Sequence, residues 1–290
     1  MKAIIFGCSG QDGRYLSELL EGLGYTVIGV DRAGKFNSVD LTDFGKVASF
    51  INEYQPHYIF HFAADSTTKH TAWKSNHDTI STGALNILEA VYQYSNKSKV
   101  FLAGSGLQFK NEGKPIKETD PFDASSIYSV SRIHTVYTAR YYRQLGVKVY
   151  IGYFFNHDSP FRSERHINKL IVNTVNRIAK GSDEKLEIGN LDVKKEFGFA
   201  GDIVKAVWIL VNQDNIYEAV IGTGKAYSLK DWVDACFSIR GLNWQNHVIL
   251  KEGFVAEYDL LVSDPSKILS IGWIPEVDIT NLAQMMMDEI

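Results

Sequence analysis

The chain has 290 residues, 45% of them hydrophobic and 22% charged, with a formal net charge of −4. This suits one large α/β domain or two smaller ones around a sizeable core; the slight acidity argues against a broad electrostatic footprint for nucleic acid, and no apolar run is long enough to span a membrane. Cys8 and Cys236 are too few for a disulfide framework and fit a reducing compartment, and no signal peptide precedes the first strand pattern, so a cytoplasmic protein is expected.

Ala3 to Phe6 is a short apolar run that stops at glycines. Arg14 to Leu23 follows, with Leu16, Leu19, Leu20 and Leu23 at helical spacing. Tyr25 to Val30 reads as a second strand, ending at Asp31, and Tyr58 to Phe62 as a third, ending in Ala63-Ala64. Ala84 to Val91 is helical in pattern, Val100 to Leu102 is a buried strand, Tyr128 to Arg143 a long helix and Val147 to Tyr153 another strand. Strands alternating with helices predict a Rossmann-type doubly wound parallel sheet covered on both faces, and near-continuous apolar strands fit that burial. Beyond about residue 155 helices are expected at Ile167 to Ala179, within Phe199 to Leu210, at Ser228 to Phe237 and at Thr280 to Ile290, with Thr280 as N-cap. The expected organisation is residues 1–155 as the main dinucleotide-binding lobe and 156–290 as a smaller substrate lobe interleaved with it.

Gly7-Cys8-Ser9-Gly10-Gln11-Asp12-Gly13 is a G-x-x-G-x-x-G loop between a strand and a helix, the setting that makes such a motif a dinucleotide fingerprint. Its glycines allow a tight turn and close approach to a pyrophosphate, which the N–H groups and dipole of the helix start then favour. Asp31, at the end of the next strand, can accept both ribose hydroxyls of NAD; Arg32 directly after it could instead favour NADP. Asp40 and Leu41 stand where an adenine contact is expected. No metal site is expected.

Tyr128 and Arg132 form a Y-x-x-x-R pair. One helical turn puts both on one face, where a cation favours the ionised phenol. A free tyrosine titrates near 10 and needs such help to act as a base at neutral pH. Arginine supplies the charge, without the compact titratable ammonium of lysine.

The opening Gly7 to Leu16 resembles that of the GDP-mannose 4,6-dehydratases, in the extended short-chain dehydrogenase superfamily. Phe62-Ala63-Ala64-Asp65-Ser66 is similar to their "LAAQS" stretch, and Phe155-Asn156-His157-Asp158-Ser159-Pro160-Phe161-Arg162 to "FNHESPRR". Ile188 to Asp202 resembles "LGNLDAKRDWGFAGD", and Ser263 to Lys267 with Gly272-Trp273 matches the closing pattern. The resemblance covers essentially the whole chain. It implies NAD(P) in the first lobe, with Phe62, Ala63, Ala64, Ser66, His157 and Arg162 beside it, and a nucleotide-sugar in the second lobe, near Asn156, Lys169 and Lys195. It also implies a homo-oligomer, dimer or tetramer.

The resemblance further implies that Tyr128 takes the proton of the sugar's C4 hydroxyl while Ser105 hydrogen-bonds the same oxygen. The family lysine, which also holds the nicotinamide ribose, is here Arg132. In the family's S-T-S-E stretch, Ser105 stands on the Thr and Leu107 on the Glu that moves a proton at C5 and helps expel the C6 hydroxyl. Phe254 stands where the family has an Arg that helps hold the nucleotide, and Lys195 replaces another Arg near the diphosphate. Three functions therefore remain open: C4 redox chemistry without elimination, 4,6-dehydration retained by another route, and a silent dinucleotide-binding partner protein.

Overall fold

The computed structural model describes residues 1–32 and 36–288. The first half runs β1 (Lys2–Phe6), α1 (Gln11–Gly22), β2 (Thr26–Val30), α2 (Phe44–Tyr54), β3 (Tyr58–His61), α3 (Trp73–Asn76), α4 (Gly83–Tyr94), β4 (Lys99–Ser105), α5 (Ile127–Gln144) and β5 (Lys148–Phe154). It continues with β6 (His157–Asp158), α6 (Ile167–Ala179), β7 (Leu186–Ile188), β8 (Lys194–Glu196), β9 (Gly198–Phe199), α7 (Ala200–Val211) and β10 (Glu218–Ile221). The last elements are β11 (Ala226–Ser228), α8 (Leu229–Ile239), β12 (Val248–Leu250), β13 (Leu260–Leu261), α9 (Ser266–Ser270) and α10 (Ile279–Asp288).

Six strands form one parallel sheet in the order β10-β5-β4-β3-β1-β2. Side chains alternate across it. Ile4, Ile59, Val100 and Val149 meet α2, α4 and α5 through Val47, Ile51, Leu88, Val91 and Val136. Ala3, Ile5, Phe60 and Phe101 meet α1 and α7 through Leu16, Leu20, Ile203, Val207 and Leu210. Both faces are dry, which explains the unbroken apolar strands. The chain leaves β1 towards β2 and then crosses back to β3, so the order reverses beside β1. In open α/β sheets ligands bind outside the carboxyl ends of the strands at such a point.

A separate core joins α6, α8 and α10, with Trp232 stacked on Phe197 at 5.1 Å between centroids. The second half of the chain also supplies β10 to the large sheet and packs α7 against it. Helix α2 and strand β10 add to the elements expected from the sequence. Thr280 is not the N-cap of the last helix. Asp278 holds that place, its Oδ1 accepting the Asn281 N–H at 2.8 Å, because its carboxylate reaches the orphan first-turn donor. Of the helix expected over Thr280 to Ile290, residues 289 and 290 lie outside the described residues.

Candidate active site

A cleft of about 1030 Å³ lies over the carboxyl ends of β1, β2 and β3. Gly7, Ser9, Gly10, Gln11, Asp12 and Gly13 line it from the loop after β1, and Asp31 and Arg32 from the end of β2. Asp40 and Leu41 close one side, Phe62, Ala63, Ala64 and Ser66 follow β3, and Arg162 enters from the second lobe. The glycines are required by position. Gly7 has φ +88°, and a Cβ there would lie 2.7 Å from the Ala63 nitrogen. At Gly13 a Cβ would lie 2.4 Å from the Gly7 oxygen. Gly10 caps α1 without a side-chain acceptor, which leaves first-turn N–H groups for an anionic ligand. These residues fit a dinucleotide. The sequence reading missed Thr71, Lys74, Ser75, Asp78 and Thr79, which line the same cleft. Asp78 and Thr79 sit in a π-helical turn, His77–Thr82, leading into α4; such turns gather at functional sites, but their sequences carry no apolar period.

The glycine loop is docked on the stretch after β5. Gln11 Nε2 donates to the His157 carbonyl at 3.2 Å, and Ser159 Oγ donates to Gln11 Oε1 at 2.9 Å. His157 presents Nε2 to Asp12 Oδ1 at 2.9 Å and Nδ1 to the Phe155 carbonyl at 2.8 Å. Both ring nitrogens thus face acceptors, which suits the doubly protonated imidazolium. Burial alone would lower the His157 pKa, but the Asp12 carboxylate outweighs it and the net shift is upward. Burial likewise opposes ionisation of Asp12, and the His157 charge and hydrogen bond, with Arg162 and Arg132, outweigh it and hold that carboxyl below its usual range.

A second, inner cleft of about 360 Å³ adjoins this one. Ser105, Leu107, Tyr128, Arg132, Asn156, His157 and Arg162 line it, together with Thr68, His166 and Glu257. Tyr128 is brought there by the start of α5. Ser126 Oγ accepts the Ser129 N–H at 3.1 Å, so Tyr128 is the second residue of the helix, at its positive end. Arg132, one turn later, lies with its guanidinium 5.2 Å from the phenol ring centroid and donates through Nη1 to the Ala103 carbonyl at the end of β4. Burial raises the Tyr128 pKa; the Arg132 charge, hydrogen bonding from Ser105 and Arg132, and the Arg162 charge outweigh that, and the net shift is downward. His61, behind Arg132, is lowered to about 4 by burial and by the Arg132 charge, so it is neutral at physiological pH.

Ser105 is fixed from two sides. Its N–H donates to Gln108 Oε1 at 2.9 Å, and its Oγ accepts the Leu107 N–H at 3.2 Å, leaving its own O–H to donate. On either side of it, Cβ atoms at Gly104 and Gly106 would lie 2.7 Å from the Tyr153 ring and 2.8 Å from the Phe155 ring. The two glycines therefore make room for aromatic packing behind Ser105.

Of the expected substrate residues, Asn156 lines the inner cleft, whereas Lys169 and Lys195 line neither cleft. Lys169 Nζ donates to the Pro160 carbonyl at 2.8 Å. Lys195 is 8% exposed, and burial first, then the Arg162 charge, against the opposing pull of Asp158, brings it to about 8. Arg162 pairs with Asp158 at 3.2 Å and donates to His166 Nδ1 at 3.1 Å.

The family model described as GDP-mannose 4,6 dehydratase matches residues 4–286. The chain belongs to that family. It is an enzyme of the extended short-chain dehydrogenase type. GDP-mannose 4,6 dehydratase 2 of Arabidopsis thaliana is 33% identical over 99% of this chain and 86% of its own length. GDP-mannose 4,6-dehydratase of Vibrio cholerae is 29% identical over 100% of this chain and 94% of its own. Among solved structures, the fold matches the Thermus thermophilus UDP-glucose 4-epimerase in complex with NAD, with TM-score 0.84 and 21% identity over 100% of this chain and 98% of that one. It also matches RMD from Pseudomonas aeruginosa complexed with NADPH, with TM-score 0.86 and 18% identity over 99% and 98% of the two chains.

Proposed function

We propose that this family member is an NAD(P)-dependent oxidoreductase acting at C4 of a nucleotide-activated sugar, a GDP-mannose-like hexose or heptose. The observation that carries the reading is the meeting of Ser105, Tyr128 and Arg132 at one cleft, with the Tyr128 phenol held below its ordinary pKa. A phenol whose pKa is lowered is ionised more often at neutral pH, and the phenolate is the form that accepts a proton. Tyr128 takes the C4 hydroxyl proton, Ser105 hydrogen-bonds that oxygen, and Arg132 stabilises the phenolate. A dinucleotide bound in the larger cleft would supply the hydride acceptor for C4. Gly7, Gly10 and Gly13 would let it approach, the start of α1 would hold its pyrophosphate, and Asp31 would take its ribose, which favours NAD; Arg32 lines the same cleft and leaves NADP usable.

Leu107 supports redox chemistry without elimination, since its side chain, which lines the inner cleft, cannot move a proton. Retained 4,6-dehydration is the second reading, supported by the family itself. Enzyme loaded with NAD is incubated with GDP-mannose and the sugar nucleotide weighed by mass spectrometry. Loss of two hydrogens supports C4 oxidation and loss of one water supports dehydration. NAD-loaded protein that leaves GDP-mannose, UDP-glucose and related sugar nucleotides unchanged overturns both and leaves the silent dinucleotide-binding partner.

We also propose a homo-oligomer. Tyr137 and Tyr141 on α5 are 60% and 56% exposed, and Tyr92 on the neighbouring α4 is 44% exposed, an apolar surface of the kind that marks an interface. Light scattering of the purified protein tests it, and a monomeric mass rejects it.

A further inference from the structure

Ser105 ends β4, beyond the last β3 pair at Leu102, and a short 3₁₀ turn, Gly106–Gln108, follows it. A capping box locks that turn: Ser105 Oγ accepts the Leu107 N–H at 3.2 Å, and Gln108 Oε1 accepts the Ser105 N–H at 2.9 Å. Gln108 lines neither cleft and is fully buried. Its Nε2 finds no hydrogen-bond partner among the described residues. Leaving a buried amide donor unpaired costs stability, and an apolar side chain of the same length would fill the space without that cost. It would not accept the Ser105 N–H. Gly104 makes room for the amide, since a Cβ there would lie 3.0 Å from Gln108 Oε1. Glycine also leaves the adjoining peptide conformationally permissive, so a side-chain anchor matters there. The main chain of Gln108 has a second hold. Its carbonyl accepts the Asp123 N–H at 2.8 Å, and Phe109 bridges to Phe122 with ring centroids 5.1 Å apart. Asp123 leads into Ser126, the N-cap of α5, and Tyr128 follows in the first turn. One residue thus joins Ser105, through its side chain, to the start of the helix that carries Tyr128, through its main chain.

We propose that Gln108 is a positioning residue of this site, holding the Ser105 hydroxyl in register with Tyr128 so that both meet the C4 oxygen of the sugar. The inference rests on the C4 reading and goes beyond it, to a side chain that lines neither cleft. The Ser105 hydrogen bond is among the influences that lower the Tyr128 phenol. Ser105 Oγ is tied to the Leu107 N–H, so the direction of the hydroxyl follows the turn. Without the Gln108 acceptor the Ser105 N–H is left buried and unpaired. The turn then shifts to repair it, and Oγ moves off the phenol. A displacement of about 1 Å is enough to cost about 10²-fold in rate. The loss falls on the chemical step and not on sugar binding, because Gln108 stands outside the cleft.

The test uses the full chain loaded with NAD, with GDP-mannose and UDP-glucose as probes and reduced nicotinamide read by its near-ultraviolet absorbance. Gln108→Met keeps the length and removes the acceptor. It is expected to lower kcat for C4 oxidation by about tenfold to 10²-fold with KM for the sugar nucleotide unchanged, and to move the acid limb of the rate to higher pH. Gln108→Glu, which keeps an acceptor oxygen at the same place, is expected to recover most of the rate. In a Ser105→Ala background, Gln108→Met is expected to cost little more, since the two act through one hydroxyl. If Gln108→Met does not fold, Gln108→Asn, which draws the oxygen back by one methylene, carries the same comparisons. An unchanged kcat and pH limb in the folded variant, a loss confined to KM, no recovery in Gln108→Glu, or a full further loss in the Ser105→Ala background overturns the proposal and leaves the C4 reading standing. Absence of C4 oxidation by the wild type with both probes overturns the C4 reading and this proposal with it.

Discussion

His157 Nε2 lies 2.9 Å from Asp12 Oδ1, although the two residues are 145 positions apart. The contact ties the dinucleotide loop to the segment after β5, so the cofactor cleft is built only when the two halves of the chain have met. The His157 value is raised and the Asp12 value lowered. The histidine's contribution to stability is therefore complete below its unfolded value of 6.5 and is lost as pH rises through its higher folded value. The aspartate's contribution is complete above 3.8 and is lost as pH falls through its lower folded value.

His157→Gln should consequently destabilise the protein most between those two limits. Breaking a buried pair by removing one partner costs about 3 kcal/mol or more. Thermal unfolding of wild type and variant across pH checks this: the gap between them should be widest at mildly acidic pH and shrink at alkaline pH. A gap that does not change with pH would mean that packing alone accounts for it.

The Tyr128–Arg132 relation predicts a pH profile. If Tyr128 is the base, Tyr128→Phe lowers C4 oxidation by about 10²-fold or more. Arg132→Met removes the largest influence that lowers the phenol, so the acid limb of the rate should move to higher pH. Arg132→Lys should also slow the reaction, because the guanidinium is held through Nη1 on the Ala103 carbonyl, and an ammonium on a shorter stem cannot hold that carbonyl and reach the phenol with the same fork. A faster Arg132→Lys enzyme would contradict a site organised around arginine.

Gly13→Ala probes the loop without touching the chemistry. The added Cβ would lie 2.4 Å from the Gly7 oxygen and 2.6 Å from the Cys8 Cα, so α1 must move off the loop. Dinucleotide affinity, measured by calorimetry, should fall by about tenfold or more, with a loss of stability of roughly 1–3 kcal/mol, the usual cost of overpacking.

Much of this was legible in the sequence, for physical reasons that also mark where legibility ended. Strands such as β1 and β4 are buried on both faces and spell themselves as apolar runs, and the glycine loop is set by backbone space. Helix α2 had a signal that the reading passed over: Phe44, Val47, Ala48 and Ile51 recur at helical spacing after Asp43, which caps the helix by accepting the Lys46 N–H at 3.1 Å. The inner cleft is different in kind. Thr68 and Glu257 meet from 189 positions apart, and no local pattern encodes that meeting. Lys195 was read as a phosphate partner from its motif alone, and only the fold shows that it is buried beside Arg162 and Asp158.

Leu107→Glu tests the proposal that a leucine at this position is what withholds elimination from the site. Leu107 follows the Gly106 turn, and its N–H is already anchored on Ser105 Oγ at 3.2 Å, so the backbone that would carry the new carboxylate is in place. Its side chain is half-buried and lines the inner cleft with Tyr128 and Ser105, so a glutamate there could keep its carboxylate in the cleft without being fully desolvated. The expected outcome with GDP-mannose is a new product lighter by one water, formed about 10²-fold faster than by the wild type and seen by mass spectrometry. If the variant oxidises C4 but releases no water, a carboxylate at position 107 is not sufficient for elimination at this site.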